Sequence, residues 1–187
     1  MELSDRELVQ KCQAGEMHAF EDLVSRYHQK VYMVILGMLR NREDALEVAQ
    51  ETFFRAFRKI NSFQGDSSFY TWIYRIAVNM SIDAQRRQKR NPLEFRESMD
   101  SVMEAQNETA KDPFAEVHDK ELRARLIKAI NDLTPEHKAV IVLRTIEGRS
   151  YKDIGEILGC SEGTVMSRLH YARKKLQDKL SAFYDEL

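Results

Sequence analysis

A chain of 187 residues with 43% hydrophobic side chains carries enough apolar surface for one or two packed domains, which excludes a disordered protein. Seven Gly, three Pro and no alternating Val- or Thr-rich run make an all-helical chain the economical reading. No uncharged apolar stretch approaches the roughly 18 residues of a membrane span, and the net charge of −1 hides a segregation: 14 basic and 12 acidic side chains over 1–90, 3 and 9 over 91–121, 12 and 9 over 122–187.

Two mildly basic bodies thus flank an acidic strap, and clustered basic residues can still bind nucleic acid in a chain of this net charge. Met1 to Gly15 reads as a polar capped helix rather than a signal peptide, so a cytoplasmic protein is expected. Cys12 and Cys160 have no Cys or His at metal-ligand spacing, which points to two buried reduced thiols and to no metal or cofactor. His18, His28, His118, His137 and His170 are scattered, with no nucleophile motif or phosphate-binding glycine loop, so catalysis is not expected.

In chain order, Ser4-Asp5-Arg6-Glu7 is a capping box for a short, accessory first helix ending at Gly15. Apolar residues at Met17, Phe20, Leu23, Val24, Tyr27, Val31, Val34, Ile35 and Met38 predict a long helix over 17–39 that builds the first core. Asn41 is suited to cap the next helix, with Ala45, Val48, Ala49, Thr52, Phe53, Ala56, Phe57 and Ile60 inward. Its outer start, Asp44, Glu47, Gln50 and Glu51, either complements the helix dipole or offers a docking face to a basic partner.

A polar loop crowded with aromatics follows, from Ile60 to Trp72, and Asp66 or Ser67 is expected to cap a helix running to about Gln88. Ile73, Ile76, Ala77, Met80 and Ala84 point inward, and Arg75, Asn79, Asp83, Arg86 and Arg90 form a polar stripe. That stripe is either internal salt bridging or, beside Arg86-Arg87-Gln88-Lys89-Arg90 and the rings of Phe63, Tyr70 and Trp72, a surface for melted single-stranded nucleic acid. Asn91-Pro92 breaks the helix, and the acidic stretch 92–117 reads as a flexible linker between a first domain over 1–91 and a second over 118–187.

In the second domain, Leu122, Leu126, Ile127 and Ile130 restore a helical stripe, and Thr134-Pro135 starts the next helix above Val140 to Leu143. Ser150 with Asp153 opens a short helix that Gly159 closes, and Ser161 caps the last, with Val165, Leu169, Ala172 and Leu176 inward. Gly163, Met166, Ser167, His170, Tyr171 and Lys174 then face out, flanked by Arg168, Arg173 and Lys175. On residues alone this is either a helical hairpin with solvated cations or a helix-turn-helix whose second helix enters a major groove; the tight Gly159-Cys160-Ser161 turn favours the latter.

Four runs together resemble the extracytoplasmic-function group of the bacterial sigma-70 family. They are Asp44 to Phe53, Ser62 to Asn79, Gly148 to Gly155 and Gly163 to His170, and the likeness covers nearly the whole chain. The resemblance implies two small helical domains that bind core RNA polymerase and direct it to promoter DNA, region 2 at the melted −10 strand and region 4 at the duplex −35 element. It implies polymerase docking by Asp44, Glu47, Gln50, Glu51 and Phe54. It implies capture of a flipped −10 base by the loop around Phe63, Ser67 and Ser68 with Asn79. Tyr70, Thr71, Trp72, Arg75, Arg86 and Arg87 would hold the non-template strand. For the −35 element it implies Ser161, Gly163, Thr164, Met166, Ser167, Arg168, His170, Tyr171 and Lys174.

In the family a basic residue often stands where Met166 and Tyr171 stand here, so the −35 sequence itself does not follow. The resemblance further implies an anti-sigma partner and a linker threaded through polymerase channels; the free protein is expected to be a monomer. The rival function is a stand-alone helix-turn-helix regulator, which would need a dimer and a palindromic site.

Overall fold

The computed structural model describes residues 3–90, 122 and 124–184 and is all-helical over them. The acidic linker expected over 92–117 lies outside the described residues. The first helices are α1 (Asp5–Gln13), α2 (Met17–Leu39) and α3 (Arg42–Lys59), then a 3-10 turn (Ile60–Ser62) and α4 (Phe69–Arg90).

The starts of α1 and α3 have their expected chemical signals. Ser4 and Glu7 form a reciprocal capping box on α1, and the Asn41 side-chain oxygen accepts from the Glu43 and Asp44 amides at 2.8 and 3.1 Å. The α2 stripe closes a core in which Leu23, Val31, Val34, Ile35 and Met38 are essentially sealed from solvent. Met17 is the exception: at the first turn nothing covers it, and it is 60% exposed. The α4 cap is Ser68, one residue beyond the expected pair, because its hydroxyl accepts from the Thr71 amide at 3.0 Å. From there α4 runs to Arg90, two residues past its expected end.

The short α1 is more than an accessory. Gln13 Nε2 donates to the carbonyls of Ile60 and Phe63, both at 2.9 Å, so α1 pins the aromatic loop across nearly fifty residues of chain. At its other end Asp5 takes Arg26 and the Tyr27 hydroxyl of α2.

The second group comprises a helical stretch over 124–131 (α5), then α6 (Pro135–Thr145), α7 (Tyr151–Leu158) and α8 (Glu162–Tyr184). Thr134 caps α6 with Pro135 in its first turn, and Ser150 and Asp153 form the capping box of α7. Gly159 ends α7 in the left-handed region, φ 63°. Leu133, Ala139, Leu143, Ile154, Ile157, Val165, Leu169 and Ala172 form the second core.

The two groups touch. α6 lies against α2 and α4, α7 lies against α4, and buried residues of both groups join in one continuous cluster. Here α4 departs from its expected pattern, because Tyr74, Val78, Ser81 and Gln85 are buried as well as Ile73, Ala77, Met80 and Ala84. A helix with neighbours on two sides buries a wider sector than one apolar stripe encodes.

Candidate nucleic-acid and polymerase interfaces

Three surfaces carry the residues singled out from the sequence. On α3, Gln50 and Glu47 are exposed, Glu51 pairs with Arg55 at 2.8 Å, and Phe54 is 54% exposed beneath the Arg58 guanidinium. Asp44 is tied inward, accepting from Gln88 Nε2 at 2.7 Å, while burial and then Glu47 raise its carboxyl above the ordinary range. Leu46, 42% exposed, belongs to this face and was missed. Its signal was present: an apolar residue outside the inward stripe, one turn before Gln50 and two before Phe54. An apolar ridge rimmed by carboxylates suits a partner with an apolar groove and basic margins.

The aromatic loop and α4 form the second surface. Phe63 and Trp72 are half-buried with ring centroids 5.0 Å apart, and Phe69 packs behind Trp72 at 5.8 Å. Ser67 is partly exposed, whereas Ser68 is engaged in the cap. Thr71 is only 4% exposed, its hydroxyl 3.0 Å from that of Ser68, so it holds the loop's shape rather than offering a contact. Asn79 and Arg87 are exposed on the outer face of α4.

Tyr70, Arg75 and Arg86 each have a partner in the second group, the two arginines while still exposed. Tyr70 stacks on the buried Tyr74 at 4.2 Å between centroids, and the Arg149 guanidinium lies 3.9 Å from its ring centre. Burial pushes the Tyr70 phenol well above its ordinary range. Arg75 Nη2 donates to the Glu156 carbonyl at 2.7 Å, and Arg86 Nη2 to Glu136 at 3.1 Å. Two members of the expected stripe, Arg75 and Arg86, thus reach the second group of helices while remaining exposed.

The third surface is α8. Ser161 caps it, accepting from the Thr164 amide at 3.2 Å, with the two hydroxyls 2.9 Å apart. Gly155 explains the tight turn before it: a β-carbon there would sit 2.7 Å from the Cys160 carbonyl oxygen, so only Gly lets α7 approach the turn this closely. Gly163, Met166, Ser167, His170, Tyr171 and Lys174 are all exposed, Met166 by 50% and Tyr171 by 62%. Arg168 is partly buried, its guanidinium 3.8 Å from the Cys160 sulfur, which anchors a cation at the helix start. Lys175 and Lys179 reach back to Asp132 of the preceding loop and stay clear of the outward face. Cys12 and Cys160 are free and half-buried rather than fully buried, because both sit at element ends.

A helix-turn-helix with an open second helix joins, in one chain, an aromatic loop and an apolar–acidic ridge. Comparison with known proteins resolves what that combination is. The family model for sigma-70 region 2 matches residues 23–91, and the model for sigma-70 region 4 matches 123–176. The chain is 39% identical to the ECF RNA polymerase sigma-E factor of Haemophilus influenzae, covering 96% of each.

The chain belongs to the sigma-70 family.

It falls in the extracytoplasmic-function group, as an RNA polymerase-binding initiation factor. It is also 36% identical to the sigma-E factor of Escherichia coli over 96% of this chain and 95% of the relative, and 33% identical to the RNA polymerase sigma-H factor of Pseudomonas aeruginosa over 97% and 96%. Among solved structures it resembles CnrH, determined with the cytosolic domain of CnrY. The TM-score is 0.68 at 26% identity, over 95% of this chain and 97% of that one. Its fold also matches the Bartonella quintana sigma factor RpoE determined with the anti-sigma factor NepR, with TM-score 0.61 at 23% identity over 87% and 96%. Among the described residues no helix is long and apolar enough to cross a membrane.

Proposed function

We propose that this sigma factor divides promoter recognition between its two groups of helices, region 2 over 1–91 and region 4 over 118–187, and acts by binding rather than by catalysis. The apolar–acidic ridge of Leu46, Glu47, Gln50, Glu51 and Phe54 docks on core polymerase, with Asp44 at its edge. The loop Phe63 to Ser68 with Asn79 takes a −10 base out of the stack, and Trp72, Arg75, Arg86 and Arg87 hold the strand that carries it.

On α8, Met166, Ser167 and His170 meet base edges, while Arg168, Tyr171 and Lys174 meet phosphates. Met166 is suited to a thymine methyl group, a contact that a basic residue at that position would not make. The sigma factor works in the cytoplasm beside the polymerase and is held in reserve by an anti-sigma partner, a reading supported by the Bartonella quintana sigma factor solved with the anti-sigma factor NepR. The observation that carries this reading is the uninterrupted exposed face of α8 in a chain whose relatives match it from end to end.

Transcription reconstituted from purified core polymerase and promoter duplex tests it. The wild-type chain starts RNA at a defined site, and Asn79→Ala loses most of that RNA on duplex but recovers it on a template already open at −10. Equal loss on both templates would remove Asn79 from base capture.

A further inference from the structure

The loop assigned to the −10 base is held at its two ends and open between them. Residues 64–66 are exposed, and Gly65 stands in the left-handed region at φ 80° with open space around it. The downstream end is the α4 cap, where the Ser68 hydroxyl receives the Thr71 amide at 3.0 Å. The upstream end is Phe63, whose ring lies 5.0 Å from that of Trp72 and 6.3 Å from that of Phe69 between centroids.

The backbone at Phe63 is fixed from α1. A primary amide nitrogen carries two protons, and Gln13 Nε2 directs them at the carbonyls of Ile60 and Phe63, each at 2.9 Å. The Ile60 carbonyl also accepts the Phe63 amide at 3.1 Å, which closes the 3-10 turn. Gln13 therefore bridges the carbonyl that opens this turn and the one just past it, and so sets the direction in which the chain enters the loop.

Such a hold is only as firm as the helix that provides it, and nine residues are too few for a helix to persist unaided. At the far end of α1, Asp5 takes the Arg26 guanidinium and the Tyr27 hydroxyl, and Arg26 donates to the Leu3 carbonyl at 2.9 Å. Leu8 and Val9 are buried between the two ends. Tyr27 leads back to the same aromatic cluster, its ring 5.5 Å from Phe69 and 6.3 Å from Tyr70. Yet Gln13 itself is exposed, so its two bonds act on the loop far more than on the core.

We propose that Gln13 is a positioning residue for promoter reading: by fixing the Phe63 carbonyl it sets the attitude of the loop over 63–68, and with it which −10 bases that loop accepts. The inference rests on the assignment of this loop and Asn79 to the −10 base. Hydrogen bonds weaken steeply when misaligned, so a loop released at its root tolerates bases that a fixed one rejects. Gln13 acts through the loop and needs no contact with DNA.

The test uses the full chain with core polymerase. Gln13→Met keeps an unbranched side chain and good helix propensity while removing both donors. Trp72 is the one tryptophan of the sequence and lies against Phe63, so its fluorescence reports the loop. Gln13→Met should raise the quenching of that fluorescence by acrylamide, with circular dichroism unchanged. In transcription from promoters randomised at −10 and −35, it should relax the −10 preference by about tenfold, the order expected for two lost hydrogen bonds, and leave the −35 preference as it was. A merely structural role would lower output from every sequence alike, and because the selection compares ratios, a partial loss of folded protein leaves the ranking readable. Wild-type −10 preferences in Gln13→Met, whatever the fluorescence, would overturn the proposal. Asn79→Ala in the same selection separates the two levels. If it alters the −10 preference and Gln13→Met does not, only the role of Gln13 falls; if Asn79→Ala leaves the preference intact, the assignment of the loop falls and this inference with it.

Discussion

The outward face of α8 and the outer stripe of α4 both stay exposed, but only the α4 stripe makes contacts to the other group of helices. On α8 every residue from Gly163 to Lys174 that was expected outside is exposed. On α4 all of Arg75, Asn79, Arg86 and Arg87 are exposed, yet Arg75, Arg86 and the half-buried Tyr70 also take partners from the second group of helices. The lesson is that periodicity reports which side of a helix avoids water. It does not report how many neighbours share the other side.

The largest effect that sharpens this contrast is on stability. Tyr74 is fully buried beneath Tyr70, so Tyr74→Ala should cost about 3–5 kcal/mol in urea unfolding. Trp72, only half-buried, should cost clearly less on the same substitution. A Trp72→Ala loss equal to or larger than that of Tyr74→Ala would mean that the loop, and not the buried side of α4, carries the core of region 2.

A second effect is read through pH. Lys138 on α6 is 5% exposed, and burial, with repulsion from Arg40 and Lys89, pulls its ammonium down to about 8, while Asp132 partly opposes the shift and Asn131 receives its hydrogen bond at 3.2 Å. The unfolded chain keeps that proton up to the ordinary lysine range, near pH 10.4, so between pH 8 and about 10 it binds more protons than the folded one. Stability from this group therefore rises with pH across that window, by at most about 1.4 kcal/mol per unit. Thermal melts at pH 7.5 and 9.5 should show the rise in the wild type and not in Lys138→Met. Identical slopes in the two proteins would remove Lys138 from the balance.

Least perturbing are changes to the open face of α8. Replacing Ser167 and His170 should shift stability by no more than about 0.5 kcal/mol, because both are exposed, while changing which −35 sequences win a randomised selection. Winners unchanged by the double replacement would transfer base reading to other residues of α8.

Much of the fold was legible because its signals are local. Ser4, Asn41, Thr134, Ser150 and Ser161 cap the helices they were expected to cap, and Gly159 ends α7. The α8 face was equally legible, since exposure there depends only on which side meets Val165, Leu169 and Ala172. What escaped depends on contacts made far along the chain. Gln13 reaching Phe63 gives α1 its role, Gln85 is buried by its bond to the Met38 carbonyl of α2 and Tyr74 against Tyr70, and the α4 cap falls on Ser68, just past the expected Asp66 or Ser67. Leu46 escaped for another reason: its signal, an apolar residue outside the inward stripe and two turns before Phe54, is faint, since single exposed apolar residues are common on any surface.

The central claim, that this chain reads promoters only as part of RNA polymerase, is tested most directly by promoter gel shifts with and without core enzyme at low and physiological salt. Alone, the sigma factor should bind duplex weakly and in a salt-sensitive way, near the roughly 10⁻⁴ to 10⁻⁶ M of non-specific contacts. With core polymerase it should give a tight, sequence-specific complex that survives physiological salt. Nanomolar, sequence-specific binding by the chain alone at that salt would contradict the account and favour a stand-alone regulator.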